Sequence, residues 1–267
     1  MGMIDLWDFD TYDGEICEYL DGCTRVFASY LDEEKRLDEI VPPVDPRERV
    51  HFLVPTNRYY EAYRAAVEGL GPIMSTKTFR AFHYTRMTDD EVAALWSTGI
   101  VTTSLGFLKE RVAQQVAAGK LTPEQGQRIV SKSALGRQGE LDNRSGFWTV
   151  AAPVSPGDNA AKSLVDHWGG EGAYWAFGAE EPEMLELLKS IGCGRIIEIA
   201  VPLSAVKFGD VGAGSATIAF EVFASRLGYD RSRKRLDFNI QHDLAPDSLL
   251  KVHSEGDETY HGMGAGV

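Results

Sequence analysis

The residues of this chain best suited to chemistry lie in three short segments. The first is Ala81-Phe82-His83-Tyr84-Thr85-Arg86, in which a histidine ends an alternating, strand-like run and a hydroxyl residue follows. An imidazole and a hydroxyl so placed suit hydrogen-bonded recognition of a ribose or a carboxamide, although a satisfied structural histidine is the plain alternative. The second is Gly169-Gly170-Glu171-Gly172-Ala173-Tyr174-Trp175-Ala176-Phe177. Glycines there let the backbone turn tightly while an aromatic ring covers a flat ligand; an ordinary turn with aromatic anchors is the competing reading. The third is the strand-like Leu236-Asp237-Phe238-Asn239-Ile240, followed by a second strand at Ser248 to His253. A strand-end His, a Tyr after glycines and an acid on a late strand could converge on one ligand.

The order of these segments resembles the NAD-binding core of the ADP-ribosyltransferase superfamily. The resemblance covers about residues 79–253 and implies a split, antiparallel-rich α+β sheet. It implies that His83 and Thr85 position the dinucleotide, with Tyr84, Arg86 and Gly172 beside them, and that Tyr174 stacks on nicotinamide. Relatives often carry Gly where Tyr84 stands. Trp175 would then alternate to the opposite face and enter the core. The resemblance also implies an acid near the anomeric carbon, because an oxocarbenium-like transition state favours a nearby carboxylate. Asp237 is the favoured candidate, with Glu221 and Gln241 as competitors. Arg86, or one of Arg231, Arg233 and Arg235, would meet the pyrophosphate.

The implied activity is cleavage of the nicotinamide–ribose bond of NAD, with transfer of ADP-ribose to an unknown protein, nucleic-acid or small-molecule acceptor, or to water. A toxin or defence role is the family's habit. The alternatives are an RNA 2′-phosphotransferase-like enzyme and a non-catalytic NAD- or ADP-ribose-binding or protein-interaction module. A buried or outward-pointing Asp237, with no other carboxylate near Tyr174, would favour the module.

The elements that must position these residues read as follows. Residues 1–75 form an acidic, helical lead-in, with a helix near 15–38, a break at Pro42-Pro43, and a second helix from Arg58 to Glu68 that stops at Gly69. Trp7, Phe27, Phe52 and Tyr59 give this region area to bury. It could dock a partner or inhibit the domain in cis; unchanged activity and stability on deleting it would remove that idea. Residues 76–257 form the main domain. Thr88-Asp89-Asp90-Glu91 spells a capping box, opening a helix with Val92, Leu95 and Trp96 on one face and Gly99 at its end. Two helices over 107–135 form an insertion, and strands follow near 146–151, 195–201, 236–241 and 248–253. Leu185 and Leu188 face inward from a helix over 182–189. Glu198 sits in the strongest strand as a paired or edge residue. Gly209 to Ser215 reads as a plain loop, and 258–267 as a mobile tail.

Composition bounds the rest. The 267 residues and 43% hydrophobic content suffice for one large domain with an appended region. A net charge of −13 disfavours nucleic acid and anionic membranes outside a local patch, of which Arg231-Ser232-Arg233-Lys234-Arg235 is the one candidate. Three cysteines without a CxxC pair argue against disulfides and structural zinc, and for a reducing, cytoplasmic setting. No apolar run approaches a membrane span, and the acidic N-terminus lacks the layout of a secretory signal. Neither a P-loop nor a nucleophile elbow is present.

Overall fold

The computed structural model describes residues 2–41, 53, 55–133, 135, 146–178, 180–207 and 211–264. The Pro42-Pro43 break and Phe52 lie outside them. In chain order the elements are α1 (Gly14–Asp38), α2 (Tyr60–Met74), β1 (Thr78–Met87), α3 (Asp89–Thr98), α4 (Leu105–Ala117), α5 (Pro123–Lys132), β2 (Phe147–Val150), α6 (Asn159–Asp166), α7 (Glu171–Tyr174), α8 (Pro182–Ser190), β3 (Cys193–Pro202), α9 (Val211–Arg226), β4 (Asp237–Ile240), β5 (Leu249–Ser254) and α10 (Glu258–His261). The chain is α+β, and its described residues form one antiparallel five-stranded sheet in the order β4-β2-β1-β3-β5. No helix among the described residues is long and apolar enough to cross a membrane.

Two compact units emerge. The first joins Met1–Lys77 to Gly209–Lys234. In it α1 starts where the Asp13 side chain accepts from Ile16 N, and presents Ile16, Leu20, Phe27 and Leu31 to the interior. Phe27 packs on Phe220 of α9 at 4.9 Å and on Tyr63 of α2 at 5.6 Å. The helix expected to stop at Gly69 runs on through Gly71 and Pro72 to Met74. Gly212, expected in a loop, lies in the first turn of α9. A Cβ there would meet Gly71 O at 2.6 Å, and one on Gly71 would meet Ala213 N at 3.3 Å, so the two glycines let the helix backbones touch.

The second unit holds Thr78–Phe208 and Arg235–Val267, including the whole sheet. β1 is central and pairs with β3 without interruption, from Thr78↔Pro202 to Met87↔Cys193. Directly paired side chains share a face, and neighbours along a strand alternate. Phe82, Tyr84, Val150 and Ile196 therefore share one face, where α6 covers Phe82, Tyr84 and Ile196 with Ala161 and Val165. Phe79, Ala81, His83 and Thr85 share the other, where Phe79 meets Phe238 at 6.2 Å. A separate cluster from α4, α5, Trp168, α7 and α8 includes Leu108, Val112, Ile129, Ala173 and Leu188. Met184 is buried on α8 with Leu188, while Leu185 packs at the cluster's margin. Trp96 is 46% exposed, and Trp175, expected in the core, is 59% exposed.

The first unit yields a test. Phe220 and Phe223 are buried on α9 against Phe9, Phe27 and Tyr63. Deleting residues 1–75 uncovers them, at roughly 1.5–3 kcal/mol per side chain. The truncated chain should lose the thermal transition of this unit or aggregate; a transition of the unit within 2–3 °C of full length, a shift that reports about 1 kcal/mol, would contradict this packing.

Candidate functional site

β1 delivers His83 to the sheet face on which Phe147 and Thr149 of β2 also lie. Pairing between β1 and β2 is confined to Phe82↔Val150. Next to that pair the imidazole replaces the ladder: His83 Nδ1 lies 2.7 Å from Trp148 O, and the ring rests 4.0 Å from the Phe147 ring. A carbonyl only accepts, so Nδ1 carries the proton and Nε2 is left as an acceptor. The side chain is half-buried by surface area but closely surrounded by protein. That desolvation pushes its pKa down to about 4, against the pull of the Trp148 carbonyl and with a smaller contribution from Arg111. At neutral pH His83 is an uncharged imidazole of fixed tautomer.

Arg111 connects this strand to the glycine segment. Its Nε donates to Glu91 Oε1 at 2.8 Å, and its guanidinium lies 4.9 Å from the Trp168 ring. Trp168 Nε1 donates to the Glu91 carboxylate at 3.0 and 3.1 Å. Glu91 also closes the capping box, accepting from Thr88 N at 2.8 Å. One buried carboxylate therefore caps α3, anchors Arg111 and holds the tryptophan that precedes Gly169. Two buried polar atoms in this neighbourhood lack a partner: Arg111 Nη2 and Thr149 Oγ1. A buried orphan donor or hydroxyl is unfavourable unless a ligand or water satisfies it.

Gly169 and Gly170 turn the chain with φ of 84° and 61°. A Cβ on Gly169 would meet Ala173 Cβ at 2.6 Å. The turn opens α7, so the segment is a single helical turn rather than an extended strand. It leaves Tyr174 half-buried, its ring stacked 4.9 Å from that of His167. Gly172 sits beside Leu135.

The remaining expected site residues are elsewhere. Tyr84 and Arg86 alternate away from His83. The Tyr84 hydroxyl donates to Val154 O at 2.7 Å, and Arg86 donates to Ile191 O at 3.1 Å and Val165 O at 3.2 Å, tying chain segments together. Asp237 pairs with Val150, which pairs with Phe82, so it projects to the face opposite His83. It is exposed, yet crowding by protein atoms raises its carboxyl pKa more than Arg235 lowers it. Gln241 bonds Asn239, which shares Asp237's face by alternation. Glu221 belongs to the helical unit. Burial opposes its charge, but hydrogen bonds from Arg231 and Lys234 outweigh burial and hold its pKa down. Most of the basic run is spent in the same way: Arg231 also pairs with Glu34 at 2.7 Å and Arg235 with Asp158 at 2.9 Å, while Arg233 lies over the Trp7 ring at 5.7 Å. Thr85 remains on the His83 face, buried.

The sequence reading missed Glu91 beyond its capping role, and with it Arg111, Trp168 and Thr149. The available signal was the capping box itself, since it fixes a buried carboxylate beside the strand end. No protein-family model matches this chain, and no curated protein or solved structure matches it either.

Two tests follow from this geometry. The unfolded chain takes up the His83 proton near pH 6.5, whereas the folded chain resists until about 4. Stability tied to His83 should be complete above pH 6.5, decline as pH falls through that window and be exhausted below about 4. NMR should find the Nδ1–H tautomer uncharged at pH 5.5; a normal titration there would contradict the site. Glu91→Gln leaves Arg111 buried without its counter-charge and should destabilise the fold by about 3 kcal/mol in denaturant titration. A loss below about 1 kcal/mol, the size of one ordinary hydrogen bond, would show that Glu91 is not the keystone described.

Proposed function

We propose that this chain binds a nicotinamide dinucleotide on the His83 face of its sheet, in the manner that its resemblance to the ADP-ribosyltransferase superfamily implies. The observation that carries the reading is His83 itself, a neutral imidazole whose Nδ1–H is committed to Trp148 O. Its Nε2 is left to accept from a ribose hydroxyl. Thr85 and the unpartnered Thr149 hydroxyl share that face, and Arg111 brings positive charge with a donor still unmatched. Tyr174 and His167 supply stacked rings beside the glycine turn, a surface suited to a flat heterocycle.

The reading favours binding over cleavage. Leaving-group departure from the ribose generates positive charge, and the carboxylate to stabilise it would have to stand on the His83 face. Asp237 faces away, and Glu91 is consumed by Arg111, Trp168 and the cap. Transfer of ADP-ribose to an acceptor thus rests on the resemblance alone. The RNA 2′-phosphotransferase alternative is weaker still, because Arg231, Lys234 and Arg235 of the basic run are paired with carboxylates.

Calorimetric titration with NAD and ADP-ribose, beside an assay for released nicotinamide, tests the proposal. Saturable binding is expected, weakened at least tenfold in His83→Ala and Tyr174→Ala and changed less than twofold in Asp237→Ala, roughly 1.4 kcal/mol against 0.4. Nicotinamide release should not exceed the blank. Absence of binding overturns the proposal. Release that disappears in Asp237→Ala would restore the transferase reading and overturn the assignment of faces.

A further inference from the structure

β5 and the turn that follows it bring a hydroxyl, an imidazole and a carboxylate together on the sheet face away from His83. Glu198 pairs with Phe82, and His253 pairs with Ile196, itself the partner of Tyr84, so Glu198 and His253 share the Phe82 face. Directly after β5 the chain closes on itself. Asp257 N donates to Ser254 O, and the Asp257 carboxylate accepts from Ser254 N, each at 2.9 Å. Tyr260 is buried behind this turn in the cluster of Phe82, Tyr84 and Ile196. Gly194 leaves room for its ring, since a Cβ there would collide with the Tyr260 hydroxyl. These contacts fix the single turn of α10 and, with it, Thr259.

The three side chains form one line. His253 Nδ1 lies 2.8 Å from Thr259 Oγ1, and His253 Nε2 lies 2.6 Å from Glu198 Oε1. Arg80 Nη2 donates to the other carboxylate oxygen at 2.7 Å and so fixes its orientation. Glu198 and His253 are buried, whereas Thr259 is exposed. The directions of the bonds follow from chemistry. An ionised carboxylate only accepts, so Nε2 carries the imidazole proton. In the uncharged ring Nδ1 then presents its lone pair to the Thr259 hydroxyl. A hydroxyl within reach of a base, and a base oriented by an acid behind it, is the arrangement that nucleophilic catalysis requires. The end of the line that is open to solvent is the hydroxyl, where a substrate must arrive.

We propose that Thr259 is the nucleophile of a hydrolytic site for small carboxylic esters, with His253 as its base and Glu198 as a positioning residue. The Thr259 proton passes to His253 Nδ1 as Oγ bonds the ester carbonyl carbon and the carbonyl π pair moves to oxygen. The Glu198 carboxylate, which already accepts from Nε2, stabilises the imidazolium so formed. The carbon–oxygen bond to the leaving alcohol then breaks, the alkoxide takes the proton from Nδ1, and the acyl group stays on Thr259. Water repeats the sequence: it gives a proton to Nδ1, attacks the acyl carbon and displaces Thr259 Oγ, which recovers that proton. The net change is ester and water to acid and alcohol. Thr259 opens on a cleft that Lys251, two residues before His253 on the same face of β5, also lines, which puts a cation at hand for the oxyanion.

The full chain treated with 4-nitrophenyl acetate tests the site, read by released 4-nitrophenolate and by peptide mass spectrometry. Release above the blank and an acetyl group on Thr259 are expected. Thr259→Val keeps the shape of an exposed side chain without its hydroxyl and should reduce both to the blank. Thr259→Ser should restore them. Glu198→Gln should slow release on the order of tenfold or more with KM changed less than about twofold, a split that general loosening of the fold would not give. Circular dichroism checks that the Thr259 variants fold. Wild-type release no faster than the blank overturns the proposal. So does release unchanged in Thr259→Val, or acetylation found on lysines and not on Thr259. None of these variants touches the His83 face, so the result is independent of dinucleotide binding.

Discussion

The uninterrupted pairing of β1 with β3 commits each side chain of a central strand to one face or the other. A one-residue slip would exchange His83 for Tyr84 and bring Phe79 and Ala81 out of the core. Burial of Phe79 and Phe82 on opposite faces, each at 2% exposure or less, opposes such a slip from both sides. Everything functional inherits this commitment. His83 and Thr85 fall on one surface; Arg80, Tyr84 and Arg86 fall on the other. β2 and β4 extend the same assignment outward, and Asp237 thereby lands behind the sheet.

A second constraint acts at the strand's end. Glu91 is buried as an ion among Arg111, the Trp168 indole and the Thr88 amide, and such a group is tolerated only when fully partnered. Partnering it draws α3, α4 and the chain before Gly169 to one point. The fold and the candidate site are therefore stabilised by the same contacts. On the far face Glu198 plays a comparable part, gathering Arg80 and His253 and, through the latter, α10.

Much of this was legible in the sequence wherever the signal is local. The Thr88 capping box, the helix opened by Pro123, and the strands through His83 and Ile197 all follow from short-range chemistry. The α+β class and the first long helix followed likewise. What failed to show was long-range. Gly71 and Gly212 resemble breakers in isolation and become packing surfaces only when two helices meet. Trp175 read as core by alternation from Tyr174, but the segment is a helical turn that leaves it exposed. The face of Asp237 depends on two successive registers, neither of which is written in the residues around it. Arg231 looked like a phosphate ligand because Glu34 and Glu221, its partners, are distant in sequence or were themselves assigned elsewhere.

Amide hydrogen exchange with and without NAD tests the central claim most directly, because it reports which segments the ligand covers without assuming any residue's role. The account predicts added protection over residues 81–87, around Arg111 and across 168–177, with 249–260 unchanged. Protection concentrated in 249–260, or none above the uncomplexed rates at saturating NAD, would contradict it.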